Sequence, residues 1–421
     1  MEDNKKEKRN SFFKGVAVAT IVVGTILTAF YSALMIAEAK KYRERIDEIV
    51  SVSQAAQEEG GDLISQEFID KSNLIYNGIL KEFYFDTDID TEKMHDLMYK
   101  AIVSSLGDKY AEYYTKEEMD ELMQGAEGSY SGIGSYVGTD EESGYPILSG
   151  VFEGSPAKEA GLRDGDIIYE VNGENIGGLT LTEAVNMIKG PEGTTVDLTI
   201  VREGLEEMIY VTVERRKIES PTVNHSMKAN DIAYIQITEF DDVTINQFDE
   251  AYKDINNQGA KALIIDLRSN GGGNLDAVLD IARHMLPKGL ITYTEERNGT
   301  VTEYNCDGKT PIQIPVVVLT NEYTASASEL LTGALKDYGI AISIGTNTYG
   351  KGIVQSVYPF TDGSGIKFTT SRYYTPKGNC IHEVGIAPDI ELEFDSERYY
   401  SDEKYDNQLE YAIEYLSNKI K

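Results

Sequence analysis

The pattern of apolar and polar positions divides the chain into stretches of different texture. Gly15 to Ala37, "GVAVATIVVGTILTAFYSALMIA", is an uncharged run of 23 residues. As a helix it would reach about 34 Å, enough to span a hydrocarbon core of roughly 30 Å. A charged segment, "EAKKYRERIDEIVSVSQAAQ", follows with helical character, and Glu58 to Asp62 ("EEGGD") reads as a hinge. Over 65–127 apolar residues recur at helical spacing: Phe68, Leu74, Ile75, Ile79 and Leu80, then Leu97, Met98, Ile102 and Leu106. From about Gly128 the texture changes to short strands and glycine turns. A strand is expected around Ile147 to Phe152, a short helix over Leu181 to Gly190, and an alternating strand over Thr195 to Gly204.

Beyond Leu205 strands and helices alternate. "IAYIQITEF" (Ile232 to Phe240) reads as a strand and Asn246 to Asn257 as a helix. "KALIIDLRSNGGGNL" (Lys261 to Leu275) runs from a buried strand through a glycine turn into a helix. "PVVVLT" (Pro315 to Thr320) and "IAISIG" (Ile340 to Gly345) are further strands. This order predicts a multi-domain α/β chain whose last large domain is a sheet flanked by helices, with ligands gathering beyond the strand ends.

Charge changes the picture at the N-terminus. Residues 1–14 hold five basic and three acidic side chains, a sum of +2, in a chain of net charge −32. The positive-inside rule then puts the N-terminus in the cytoplasm and the rest of the chain outside. Ala37-Glu38-Ala39 has the form of a signal cleavage site, but the apolar run exceeds the usual signal-peptide core, which favours a retained anchor. From Glu38 onward the net charge is −34, which disfavours nucleic acid and anionic membrane surfaces as partners.

Metal and cofactor chemistry finds no support. His95, His225, His284 and His382 lack metal-ligand spacing. "DTDID" (Asp86 to Asp90) lacks the glycine and glutamate of a calcium loop. Ser131 to Gly138 has no βαβ context for a dinucleotide, and the Walker pattern is absent. Cys306 and Cys380 are too few for a disulfide scaffold, and spacing does not decide whether they pair.

The chemistry-bearing stretch is "TASASELLTGAL" (Thr324 to Leu335), at the entrance to a helix. Ser326 followed three residues later by Glu329 reads as a capping box. The same serine is also placed to act as a nucleophile at the positive end of a helix, where backbone N–H groups stabilise an oxyanion. A nucleophile needs a base. His284 and His382 have no supporting motif for a Ser-His-Asp triad. Lys351, in "TYGKGIVQ" with glycines on both sides, fits better, and Gln355 four residues on can orient its amine. Such a lysine must lose roughly three pKa units, about 4 kcal/mol, by burial away from carboxylates.

Together "TASASELLTGALKDYG", "TYGKGIVQ" and "SRYYTPKGNCIHEVGIAPDI" (Ser371 to Ile390) resemble the carboxy-terminal processing proteases, over roughly residues 65–395. The linked pattern "GSPAKEAGLRDGDIIYEVNG" (Gly154 to Gly173) resembles a PDZ domain, in which a glycine loop receives a peptide's C-terminal carboxylate and the peptide adds as a β-strand. That loop is expected at Gly132, Ile133 and Gly134. The resemblance implies a serine peptidase with Ser326 as nucleophile, Lys351 as general base and Gln355 as its orienting partner. It implies amides of Gly272, in "DLRSNGGG", and Ala327 as the oxyanion hole. Two departures stand out. Gly271 replaces the family's proline, loosening the hole, and "DKYA" (Asp108 to Ala111) replaces "DPYS", a scaffold difference. Arg163 is a candidate relay between peptide binding and catalysis.

The expected organisation is a cytoplasmic tail (1–14), transmembrane anchor (15–37), stalk (38–64), helical region (65–127), PDZ domain (128–206), protease core (207–395) and C-terminal helical tail (396–421). The expected function is a membrane-anchored endopeptidase, without metal or cofactor, that recognises the C-termini of exported or membrane proteins and forms a homodimer. The rival is a catalytically silent PDZ adaptor binding such C-termini.

Overall fold

The computed structural model describes residues 65–84, 90–401 and 404–420. The expected tail, anchor and stalk lie outside the described residues, as does most of the "DTDID" stretch. Among the described residues no helix is long and apolar enough to cross a membrane. The chain forms two compact units, Met1–Ile89 and Asp90–Lys421, so the expected helical region 65–127 is divided between them. In the first unit the helix Gln66–Glu82 begins at Ser65, whose side chain accepts from the Phe68 N–H.

The second unit is built on a six-stranded sheet. Its order is Val223–Lys228, Ile232–Ile237, Ala262–Asp266, Val316–Thr320, Ala341–Gly345, Ile390–Glu391, parallel except for the first pair. "ALIID" and "VVVLT" are buried at every position, as strands covered on both faces must be. Successive residues point to opposite faces. Leu263 and Ile265 join the core under the helices Asp242–Asn257, Leu275–Arg283 and Ala327–Asp337, while Ala262 and Ile264 pack with Ala412 and Leu416 of the helix Asn407–Lys419. The C-terminal helix is therefore a layer of the core. The helix expected from Asn246 starts four residues earlier, because the Asp241 N–H donates to the Thr244 hydroxyl and fixes the first turn.

A two-stranded sheet, Ser129–Gly132 with Arg216–Glu219, and two larger ones complete this unit among the described residues. In one, Gly365–Tyr374 pairs antiparallel with Ile353–Pro359, Gly289–Glu296 and Glu112–Tyr114, and Val301–Cys306 extends it. The strand Glu112–Tyr114 sits inside the stretch expected to be wholly helical. In the other, Ser135–Thr139, Pro146–Val151, Ile167–Val171, Thr195–Val201 and Ile209–Glu214 lie in that order, with the helix Leu181–Ile188 started by a Thr180/Glu183 capping box. Ser135–Thr139 is an edge strand, with one row of backbone groups unpaired.

Candidate active site

Three neighbouring strands of the parallel sheet end on the same side, and each delivers one part of the site. Ala262–Asp266 leads to the turn 268–274, Val316–Thr320 to Ser326, and Ala341–Gly345 to the "GKG" turn. This is the carboxyl edge of the sheet, where open α/β folds place ligands.

Ser326 has φ 55° and ψ −116°, a backbone conformation costing of order 1–3 kcal/mol for a residue with a side chain. The surroundings over-determine it. Its N–H donates to Glu329 (2.9 Å), the preceding Ala325 N–H donates to the Asn270 carbonyl (3.0 Å), and the Thr324 hydroxyl donates to the Leu267 carbonyl (2.8 Å). Glu329 thus performs its half of the capping box. The Ser326 hydroxyl lies in capping-box disposition but closes no cap hydrogen bond, and is left for chemistry. Ser328 is different: it is fully buried and its hydroxyl donates to the Asn270 carbonyl (3.1 Å).

Two buried side chains clamp Ser326 to Lys351. Glu329, 0% exposed, accepts from Ser326 N–H (2.9 Å), the Thr348 hydroxyl (2.5 Å), Gly350 N–H (2.8 Å) and Lys351 N–H (2.8 Å). The Tyr373 hydroxyl shares its one proton between the carbonyls of Ser326 (2.7 Å) and Lys351 (2.9 Å). The amides of both residues bond to the same Glu329 oxygen, and their carbonyls to the same phenol. Their backbones therefore cannot lie in different clefts. The glycine after Lys351 is required for this: a Cβ on Gly352 would lie 2.5 Å from the His382 amide nitrogen.

Burial pushes the Lys351 amine below the usual lysine range, and the positive charges of Lys367 and Lys109 add to this, opposed by Tyr349 and Asp108. Lys351 Nζ sits 4.8 Å from the centre of the Tyr110 ring, and no hydrogen bond joins it to Ser326 Oγ in this arrangement. Gln355 lies at a bulge beside Thr369. Its Nε2 is buried without a partner among the described residues, and no hydrogen bond runs from it to Lys351. A half-turn of the amide exchanges its oxygen and nitrogen.

The turn expected to supply the oxyanion hole reaches Ser326. A Cβ on Gly272, whose φ is +104°, would lie 2.7 Å from Ser326 Cβ and 3.0 Å from the Ala327 nitrogen. The Ala327 N–H, at the first position of its helix, has no intrahelical partner. The Gly272 N–H, however, donates to Asn270 Oδ1 (2.8 Å), while Asn270 Nδ2 donates to the Ile237 carbonyl (2.8 Å). One amide is free for an oxyanion and the other is engaged.

The remaining expected residues lie apart from this cluster. Ile133 is buried; its carbonyl accepts from Ala157 N–H (2.8 Å), and the Gly134 carbonyl from Phe152 N–H (3.1 Å), so the loop 132–134 is braced from behind. The nearby Ser131 hydroxyl is buried without a partner among the described residues. Arg163 is exposed, and among the described residues its guanidinium enters no ion pair or hydrogen bond. His284 pairs with Asp249 (3.0 Å) and His225 with Asp254 (2.9 Å), away from Ser326. Cys306 and Cys380 are free thiols, the first buried and the second exposed. Sequence reasoning missed Tyr373, Tyr110, Lys109 and Asn270. Only Asn270 carried a signal, as the residue before three glycines.

The profile of peptidase family S41 matches residues 231–392, and that of a PDZ domain matches residues 147–202. The chain is 35% identical over 325 residues to carboxy-terminal processing protease CtpA of Bacillus subtilis (strain 168), covering 77% of this chain and 69% of that protein. It is 33% identical over 336 residues to the carboxyl-terminal-processing protease of Synechocystis sp., covering 79% of each. Among solved structures, the photosystem II D1 C-terminal processing protease shares 27% identity at a TM-score of 0.46, over 76% of this chain and 86% of that one. With the two domain types in one chain and relatives this similar along most of their length, this protein belongs to the carboxy-terminal processing proteases, serine peptidases of family S41.

Proposed function

We propose that the protein is a membrane-tethered endopeptidase using a Ser326–Lys351 pair. The observation that carries the reading is the double clamp by Glu329 and Tyr373, which fixes both backbones together beside the Ala327 amide. Neutral Lys351 accepts the Ser326 hydroxyl proton as Oγ attacks the scissile carbonyl. The Ala327 N–H stabilises the oxyanion, joined by the Gly272 N–H once it turns from Asn270. Lys351 returns the proton to the leaving amine, and water then hydrolyses the acyl-enzyme with Lys351 again as base. Gln355 orients the amine after the half-turn of its amide.

The substrate's C-terminus is held at the 132–134 loop and its chain adds to the edge strand Ser135–Thr139, the buried and unpartnered Ser131 hydroxyl giving the loop a further donor. Substrates are exported or membrane proteins, since the uncharged run at 15–37 and its basic flank predict an anchor with the catalytic unit outside the cell. The exposed Leu97, Met98 and Ile102 of the helix Thr91–Ser104 support a homodimer. Arg163, exposed and unpaired, is the candidate relay by which a bound C-terminus stimulates cleavage. The test is Ser326→Ala against a peptide carrying the substrate C-terminus. Loss of cleavage with an unchanged thermal unfolding curve is expected, and wild-type cleavage by the variant rejects Ser326 as nucleophile.

A further inference from the structure

Lys109 stands in the "DKYA" stretch, which carries no catalytic motif, yet the fold brings it to the Lys351 amine. Its loop is fixed on both sides. Asp108 accepts from Tyr110 N–H (2.9 Å) and from Thr369 N–H (3.0 Å), and the following strand Glu112–Tyr114 registers against 365–367. Lys109 Nζ donates to the Tyr349 hydroxyl (3.1 Å) and lies 4.8 Å from the centre of the Tyr110 ring. Lys351 Nζ lies 4.8 Å from the centre of that same ring. The two nitrogens are therefore within about one Debye length, roughly 10 Å at 0.1 M salt.

We propose that Lys109 is a positioning residue for proton transfer: its fixed ammonium, facing the ring that Lys351 also faces, keeps the catalytic amine uncharged. The proposal rests on Lys351 being the base. The asymmetry between the two lysines follows from their settings. Lys109 is exposed and bonded to the Tyr349 oxygen, which pushes its pKa up to about 12, so it holds its proton. Lys351 is partly buried, and among the described residues its side chain makes no hydrogen bond, so repulsion between them is relieved by leaving Lys351 neutral. The other groups facing Lys351 are accounted for. Lys367, on the strand Gly365–Tyr374, acts in the same direction, while Asp108 and the Tyr349 phenol oppose it. Tyr110 offers its ring face to both amines and so favours the charged one, Lys109, and His382 faces Asp108. The Glu329 carboxylate is filled by four donors, among them the Lys351 backbone N–H.

The test is the pH dependence of kcat/KM on an internally quenched peptide, using the full-length chain, for wild type, Lys109→Gln, Lys109→Arg and Lys351→Ala. Lys109→Gln is expected to move the acid limb to higher pH, lowering the rate on that limb by about threefold, with the difference shrinking as pH rises. Lys109→Arg restores the wild-type limb. Added salt moves the wild-type limb in the same direction as Lys109→Gln, and by more than it moves the variant's, where Lys367 remains the cation to be screened. An acid limb unmoved in Lys109→Gln, or moved equally in Lys109→Arg, overturns the proposal. Wild-type activity in Lys351→Ala would instead overturn the base assignment itself, so the two failures are told apart.

Discussion

Glu329→Gln is the most informative single change, because one carboxylate holds both halves of the site. In the native protein four donors converge on it: three backbone amides and the Thr348 hydroxyl. A carboxylate accepts from all four, whereas glutamine offers one acceptor oxygen and turns its NH₂ toward the donors at the other. About two charge-assisted hydrogen bonds are lost, at roughly 1.5–3 kcal/mol each. Removing a fully buried charge returns part of this, leaving a net destabilisation of about 2–4 kcal/mol. For a core of this size that lowers Tm by about 5–10 °C. The amides of Ser326 and Lys351 are two of the four donors, so the loss falls on the catalytic geometry as well. We expect kcat to drop about a hundredfold at a temperature where the variant remains folded. Calorimetry and peptide-cleavage kinetics on the same preparation measure both effects. A variant with native Tm and native kcat would refute the view that Glu329 joins the two catalytic loops.

Two further outcomes follow. Tyr373→Phe removes the hydroxyl shared by the Ser326 and Lys351 carbonyls; we expect a loss of about 1–2 kcal/mol and a lower kcat with little change in KM, and an unchanged kcat would contradict the clamp. Asp241, 7% exposed beside a cavity of about 410 Å³, has its pKa raised by burial and by Glu239 to about 7, against about 3.9 unfolded. The stability this proton gives is complete below about pH 4 and lost as pH rises through 7. Screening by cavity water reduces its size, so Asp241→Asn should exceed wild type by about 1–2 kcal/mol at pH 8 and differ little at pH 4. Equal unfolding free energies of the two proteins at both pH values would contradict this.

The elements that obey local rules were legible in the sequence. Strands such as Val316–Thr320 declare themselves by unbroken apolar runs, and the serine-rich helix entrance by its capping pattern. What stayed hidden depends on contacts far along the chain. Glu112–Tyr114 has a charged, aromatic sequence that becomes a strand only by pairing with residues some 250 positions away. That pairing brings Tyr110 and Lys109 to Lys351. The glycine turn is plain in the sequence and the structure brings Gly272 beside Ser326, yet no local pattern shows that the Gly272 N–H turns to Asn270. The sequence predicts a lowered Lys351 pKa from burial alone, whereas the structure adds two neighbouring cations. The sequence shows Glu329 only as half of a helix cap, and its other three donors belong to Thr348, Gly350 and Lys351.

The central claim is that Lys351 activates Ser326. The most direct measurement is the rate of covalent labelling by a fluorophosphonate probe, followed by intact-protein mass spectrometry and peptide mapping. A single adduct on Ser326 is expected, absent in Ser326→Ala and formed about 10²–10⁴-fold more slowly in Lys351→Ala. An adduct on another serine, or labelling of Lys351→Ala at the wild-type rate, would contradict it.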